Sequence, residues 1–262
     1  MKIKDIELFP DEVMTLIDSQ EFIGIRLSGG SDSALLCHIV LKYFPHIELL
    51  PIIMFNRLRP AAEQSVKNVL NALNALNPNN KLMTPEIGYF DTTGWPSYID
   101  GVKQKNPKMI FQPEFIRSVF AKYDTKLNFI LSGETLNPPI EDQIVLGVEQ
   151  RFVKNRNLKR INLCHEYDVN GVTKWEYSPF RNSNKREVAE IYKELNLMES
   201  LFPLTETCET EPHVYEIFGV DNNITYTAPG IEPCQCCWPC REKYWAYGVF
   251  DFNTKNRTTR LK

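Results

Sequence analysis

The sequence has no apolar run near the roughly 20 residues that a membrane-spanning helix needs. Its opening, Met1-Lys2-Ile3-Lys4-Asp5, turns acidic at once and lacks the apolar core of a secretory signal. We therefore expect a cytoplasmic protein with no membrane partner. Neither sign of charge dominates: 30 Lys and Arg stand against 33 Asp and Glu, a net charge of −3. Overall charge thus gives no argument for a polyanionic partner. Glycine is scarce at 12 residues while proline reaches 17, so stiff loops are expected rather than flexible linkers. There is no internal repeat and no low-complexity segment. What remains is ordinary for a globular chain: 262 residues, 43% hydrophobic and 24% charged. That is enough for one large α/β domain, or one domain with a small appendage.

Two common nucleotide motifs are also missing. No G-K-[ST] follows a glycine-rich stretch, and no G-x-G-x-x-G occurs. In their place stands Leu27-Ser28-Gly29-Gly30-Ser31-Asp32-Ser33. It follows an apolar run, Phe22 to Leu27, that reads as a buried strand. It precedes Ala34 to Phe44, which reads as a helix. Strand, glycine-rich turn and helix form an arrangement that cradles phosphate. Gly29 and Gly30 let the backbone approach an anion, and the helix N-terminus attracts it. Ser28, Ser31 and Ser33 add hydroxyls. Asp32 is discordant, because a carboxylate repels phosphate. A bound Mg²⁺ or an N-cap role for Asp32 would resolve the conflict. The plainer reading is a Ser/Gly turn in which Ser or Asp caps an ordinary helix.

The rest of the chain alternates. A short helix is expected near Pro10, with Asp11 and Glu12 in its first turn. A second strand covers Ile47 to Phe55, and Pro51 restricts the strand proper to Ile52–Phe55. A helix from Pro60 to Leu73 and a third strand from Lys81 to Ile87 follow. Residues 88–111 read as a long irregular segment. Pro113–Tyr123 reads as a helix and Asn128–Ser132 as a fourth strand. Asn170-Gly171 marks a hairpin within residues 161–177. Lys185 to Leu195 reads as an amphipathic helix. The fold expected is therefore α/β, a doubly wound parallel sheet. Ligands in such sheets lie beyond the C-terminal strand ends. That places the glycine-rich loop, Phe55-Asn56-Arg57 and Gly133-Glu134-Thr135 on one rim.

Seven cysteines in a cytoplasmic chain argue against structural disulfides. Cys234-Gln235-Cys236-Cys237-Trp238-Pro239-Cys240 contains two overlapping C-x2-C spacings. Cys208 is the nearest further cysteine and could close a tetrahedral Cys₄ site for Zn²⁺. An iron–sulfur cluster would use the same ligands. Whether Cys236 replaces Cys234 or Cys237 stays open. Cys37 and Cys164 read as buried core residues.

The S-G-G-x-D-S string resembles the phosphate loop of the PP-loop, or N-type, ATP pyrophosphatases, which have an adenine nucleotide alpha-hydrolase-like, Rossmann-like fold. That family cleaves ATP between the α and β phosphates and transfers AMP. The C-terminal third is similar to the 7-cyano-7-deazaguanine synthase family within that group. The similarity rests on Ser178-Pro179-Phe180, Lys185-Arg186-Glu187-Val188, Thr205-Glu206-Thr207-Cys208, and Cys234, Cys237 and Cys240. Together the matching parts cover about half of the chain.

The resemblance implies an AMP-forming ligase that uses ATP and Mg²⁺. Asp32, Ser33 and Lys185 would carry the chemistry. Ser28, Gly29, Gly30, Ser31, Asp32, Ser33, Phe55, Asn56, Arg57 and Gly133 would hold the nucleotide. Cys208, Cys234, Cys237 and Cys240 would hold Zn²⁺. It also implies a PP-loop domain over residues 1–200, a zinc-bound extension over residues 201–262, and a homodimer.

The chain departs from the family where a Tyr-Pro-Asp element would handle the deazaguanine. It has Gly133-Glu134-Thr135-Leu136-Asn137-Pro138-Pro139 instead. The spacing from Cys208 to Cys234 is also longer. The expected partner is therefore a small-molecule acceptor, a 7-deazaguanine-like acid or another. Nucleic acid is a lesser alternative, since the basic tail at Arg257, Arg260 and Lys262 lacks interleaved aromatics. Two other functions compete. A sulfur-transfer enzyme would need a cysteine at the rim, and neither Cys37 nor Cys164 is well placed. A nucleotide-binding interaction module would have no need of Asp32 in an anion site. Glu134, just past a strand end, is a candidate to orient the acceptor. His38, His165 and His213 are isolated and read as structural.

Overall fold

The computed structural model describes residues 1–57, 59–79, 81–91, 98–99, 102–103, 107–139, 141–142, 163–207 and 238–251. Cys208, Cys234, Cys236 and Cys237 lie outside the described residues, as do His213 and the basic tail.

A small antiparallel hairpin, β1 (Lys2–Ile3) with β2 (Ile6–Glu7), opens the chain. Helix α1 (Asp11–Asp18) follows, with Pro10 as its N-cap and Val13 and Ile17 buried. Then come β3 (Phe22–Arg26), α2 (Ser31–Tyr43), β4 (Glu48–Asn56), α3 (Pro60–Leu76) and β5 (Glu86–Phe90). A short hairpin of β6 (Tyr98–Ile99) and β7 (Val102–Lys103) precedes α4 (Pro107–Tyr123) and β8 (Phe129–Leu131). A second hairpin, β9 (Leu163–Val169) and β10 (Val172–Tyr177), leads into α5 (Lys185–Glu194). The last described helix is α6 (Trp238–Tyr247).

Six strands form one sheet in the order β5-β4-β3-β8-β10-β9. All neighbours are parallel except β9, which pairs antiparallel with β10. The β9–β10 turn uses Asn170 and Gly171, both at positive φ (55° and 77°), as an Asn-Gly hairpin requires. Strands β3 and β4 are nearly continuous apolar runs because both of their faces are covered. One face packs Leu35, Ile39, Val66, Leu73, Val188 and Tyr192 from α2, α3 and α5. The other face packs Ile116, Val119 and Phe120 from α4. The sheet is therefore doubly wound, and its direction of travel reverses between β3 and β8.

Three boundaries differ from the sequence reading. Strand β4 runs straight through Pro51, which lies between two neighbouring strands. Leu49 exchanges backbone bonds with Lys81 and Met83, and Pro51 presents its missing N–H to that same side. The ladder to β5 begins only at Ile52 with Glu86, so no bond is lost. The third strand is accordingly Glu86–Phe90, with Leu82 making only an isolated bridge. Helix α4 begins at Pro107 and contains Pro113, against a usual cost of about 3 kcal/mol. Aromatic packing opposes that cost: Phe111 stacks on Phe115 at 5.6 Å and meets Phe90 at 6.0 Å.

His38 is buried on α2, with Nδ1 3.3 Å from Asn77 Nδ2. Asn77 also donates to Leu73 O at the end of α3, so the imidazole helps secure that helix terminus. Burial, and to a lesser degree Lys42, lowers the His38 pKa to about 4. The unfolded chain therefore takes up this proton more readily than the folded one. Its stabilising contribution is complete above roughly pH 6.5 and is lost as pH falls toward 4. In thermal melts at pH 7 and pH 4.5, His38→Gln should show a smaller acid-induced drop than the wild type. An equal drop in both proteins would exclude His38 as the group responsible.

Candidate functional site

The turn after β3 is shaped by two glycines. Gly29 has φ 82°, in the left-handed region, and a Cβ there would meet Val66 Cγ2 at 2.9 Å. Gly30 is the N-cap of α2 and makes no side-chain cap bond. Asp32 is therefore not the cap; it sits in the first turn of α2. The serines knit the loop together. Ser33 Oγ donates to Gly30 O at 3.1 Å and accepts from Ser28 N at 3.2 Å. Ser28 Oγ lies 3.1 Å from Ser33 Oγ and accepts from Gly30 N. Ser31 Oγ donates to Asp32 Oδ1 at 3.1 Å. In this arrangement the hydroxyls hold the loop's shape, and the start of α2 presents its positive dipole end to the cavity.

Asp32 is paired with Lys185, 153 residues away in sequence. Its Nζ lies 3.2 Å from Asp32 Oδ2 and 3.2 Å from Glu242 Oε2. Lys185 opens α5, placed there by a capping box in which Asn184 Oδ1 accepts from Glu187 N and Glu187 Oε2 accepts from Asn184 N. A cation at a helix N-terminus opposes the dipole, so this position depends on its carboxylate partners. Burial works against the Lys185 charge, but Asp32 and Glu242 outweigh it and raise its pKa above the ordinary lysine value.

A second layer steadies the loop. Glu206 N donates to Gly29 O at 2.9 Å, and Glu206 Oε1 lies 3.4 Å from Arg59 Nη2. Thr207 N and Oγ1 donate to Asp251 at 2.7 and 2.9 Å. Asp251 pairs with the buried Lys243 of α6, which also donates to Thr205 O and Oγ1. Burial alone would raise the Asp251 pKa, but Lys243 and the Thr207 donors hold it below the carboxylate range.

These groups surround a cavity of about 460 Å³ where the sheet reverses direction. Ser28, Gly30, Asp32, Ser33, Phe55, Asn56, Gly133 and Lys185 all line it. The structure thus brings together most of the residues expected from sequence. Arg57 does not line this cavity: it is exposed, with its guanidinium 5.8 Å from the Tyr89 ring. Arg59 stands at the cavity instead. Gly133 is fixed by close approach, since a Cβ there would lie 2.8 Å from Ser33 N and 2.9 Å from Asp32 C.

Sequence reasoning missed Arg26, Arg59, Glu206 as a wall residue, and Glu242. Glu206 falls within the Thr205–Cys208 element but at its variable position, and the other three belong to no local motif. Only Arg26, a charge ending an apolar strand, gave a visible signal.

Of the four expected metal ligands, only Cys240 is described; it is buried in the first turn of α6. Among the described residues, no cluster of three or more His, Cys, Asp or Glu has metal-binding geometry. No described helix is long and apolar enough to cross a membrane. Cys37 is fully buried and burial raises its thiol pKa, which makes it a poor nucleophile.

No protein-family profile matches the chain, and no curated protein matches its sequence. Similarity is found among solved structures. The U34-tRNA thiolase of Methanococcus maripaludis, solved with its [4Fe–4S] cluster, aligns at 17% identity and a TM-score of 0.44, over 72% of this chain and 61% of that one. A 4-thiouridine synthetase solved with RNA and bound ATP aligns at 15% identity and TM-score 0.45, over 87% of this chain and 54% of that one. The NMN synthetase of Francisella tularensis aligns at 13% identity and TM-score 0.40, over 93% of each chain. The chain thus spans little more than half the length of the first two.

Proposed function

We propose that the protein is an ATP-dependent adenylating enzyme. It would cleave ATP to AMP and pyrophosphate and so activate an acceptor oxygen for displacement by ammonia or an amine. The observation that carries this reading is the convergence of Asp32 and Lys185 on a glycine-rich turn at the N-terminus of α2, at the sheet's reversal point. The loop N–H groups would hold the phosphates. Lys185 would neutralise charge building on the leaving pyrophosphate. Asp32 has one oxygen on Ser31 and the other on Lys185, and its side chain opens onto the cavity, so it fits a Mg²⁺ ligand. When bound there, Mg²⁺ supplies further neutralisation of phosphate charge. Ser33 would keep the loop in register, and Phe55, Asn56 and Arg59 would wall the adenosine side.

In this reading Cys208, Cys234, Cys237 and Cys240 hold a structural Zn²⁺. The support is indirect. Thr207, next to Cys208, is tied through Asp251 and Lys243 to the helix that carries Cys240. Metal analysis should find about one zinc per chain, and chelation should lower the melting temperature by several degrees. Iron with acid-labile sulfide would instead establish the cluster alternative.

The direct test combines Mg-ATP, ammonium and 7-carboxy-7-deazaguanine and measures AMP and pyrophosphate with and without the acid. Acid-dependent release with nitrile formation supports the specific acceptor. Release without nitrile retains adenylation and rejects that acceptor. Asp32→Asn should lower the release at least 100-fold while leaving the melting curve cooperative. Undiminished release would remove Asp32 from the mechanism.

A further inference from the structure

Helix α6 carries a surface feature that lies outside the cavity. Tyr244 is 51% exposed and stacks on Phe250, with ring centroids 4.6 Å apart and planes 18° from parallel. A tight turn holds the pair together. Gly248 ends the helix at φ 72°, and its N–H donates to Tyr244 O at 2.8 Å. Val249, also exposed, follows it. Asp251, next to Phe250, is buried and tied to Lys243 and to Thr207 N and Oγ1. Contacts in the interior thus fix both ends of the turn, and the Tyr244 ring is presented to solvent in a set orientation.

The charge around this pair is one-sided. From Arg241 to Lys262 the sequence has six basic residues, Arg241, Lys243, Lys255, Arg257, Arg260 and Lys262, against two acids, Glu242 and Asp251. Both acids are buried and each has a lysine partner, Lys185 for Glu242 and Lys243 for Asp251. Arg241 is exposed and stands three positions before Tyr244 on α6, which makes the two neighbours on the helix surface. The next cation, Lys255, is five residues beyond Phe250, within about 18 Å of extended chain. In a chain of net charge −3, an excess of positive charge is therefore gathered beside an open aromatic ring.

We propose that the exposed Tyr244–Phe250 stack, with Arg241 beside it, is a docking surface for single-stranded nucleic acid. A base would stack on the open face of Tyr244 and continue the aromatic pair, while Arg241 would meet a phosphate. The basic residues that follow in sequence would add attraction for the backbone. A single strand fits better than a duplex, because only unpaired bases offer their faces to a side chain. An acidic peptide would answer the cations but leave the ring without a flat partner. A membrane surface would call for a wider apolar face than two rings and Val249. The interaction uses neither the cavity nor ATP, so it stands or falls apart from the adenylation proposed above.

The test measures fluorescence anisotropy of labelled uridine and thymidine homopolymers with the full chain, over a range of salt. An abasic strand of the same length and a duplex serve as controls. At least one homopolymer should bind about tenfold or more tighter than the abasic strand, and the preferred sugar separates RNA from DNA. Tyr244→Ala should weaken binding about tenfold and Tyr244→Trp should restore it, with melting temperatures unchanged because the ring is exposed. Replacing Arg257 and Arg260 together by Gln should flatten the dependence of log affinity on log salt by about 1.4, two phosphate contacts at about 0.7 each. No binding of either homopolymer overturns the inference. So does equal binding of the abasic strand, or equal affinity in wild type and a folded Tyr244→Ala. Tighter binding of poly-glutamate or of phosphatidylserine vesicles, lost in Tyr244→Ala, overturns it in favour of an acidic peptide or a membrane.

Discussion

Lys185→Met should abolish AMP formation and cost about 3–5 kcal/mol of stability, the range for removing one partner of a buried ion pair. Lys185 is 4% exposed and is the cation shared by Asp32 and Glu242. Its removal leaves two carboxylates, on α2 and α6, facing one another across the space it occupied. They must then take up protons or move apart, and either response reshapes the α2 end of the cavity. The pH dependence distinguishes this from a titrating catalyst. A lysine whose pKa is raised keeps its stabilising charge below the ordinary lysine range and loses it only at higher pH. Wild-type activity between pH 6 and 9 should therefore show no step from Lys185, and the defect of Lys185→Met should be uniform across that window. Calorimetry and a pyrophosphate assay read the two effects. A variant as stable as wild type would show that the ion pairs contribute no net stability. A variant that still forms AMP would remove Lys185 from the chemistry.

Gly133→Ala should be nearly as damaging by a different route. The added methyl would press against Ser33 N, Asp32 C and Ser33 Cα, at 2.8, 2.9 and 3.0 Å. All three are main-chain atoms, which cannot swing aside as a side-chain tip can. The rim after β8 and the start of α2 must separate, at about 1–3 kcal/mol for an overpacked site. A displacement of that kind can lower activity about 100-fold when the displaced group positions the reacting atoms. Gly171→Ala is the control. It strains a positive-φ turn of the β9–β10 hairpin but meets nothing within 4 Å. We expect comparable destabilisation from the two variants, with AMP formation lost only in Gly133→Ala. Equal activities would show that the contact between Gly133 and α2 does not set the loop's position.

Much of this architecture was legible because it is written in neighbouring residues. The strand–turn–helix of Phe22 to Tyr43 and the Asn170-Gly171 hairpin depend on local pattern and turn chemistry. The rim position of Gly133 followed from topology. Pro51 misled because its cost depends on whether a neighbouring strand needs its N–H, and that is decided by where β5 begins. Arg57 misled in a similar way: Arg59, two residues on, lines the cavity and pairs with the distant Glu206, a contact that no local pattern announces. Glu242 was beyond reach for the same reason. Its role is defined by Lys185, 57 residues earlier, and no periodicity links them.

The binding of α2 to α5 and α6 through Asp32, Lys185 and Glu242 also fixes when the site can exist. During synthesis the glycine-rich turn leaves the ribosome long before Lys185, and Glu242 follows later still. Closing such distant contacts is slow, and it comes after the local strand pairs and helices have formed. A nascent chain that has β3 and α2 but not α6 holds Asp32 without the full set of charges around it. On the function proposed above, competence for a triphosphate should therefore arise in one late step, as α6 docks, and not grow by degrees as the sheet assembles.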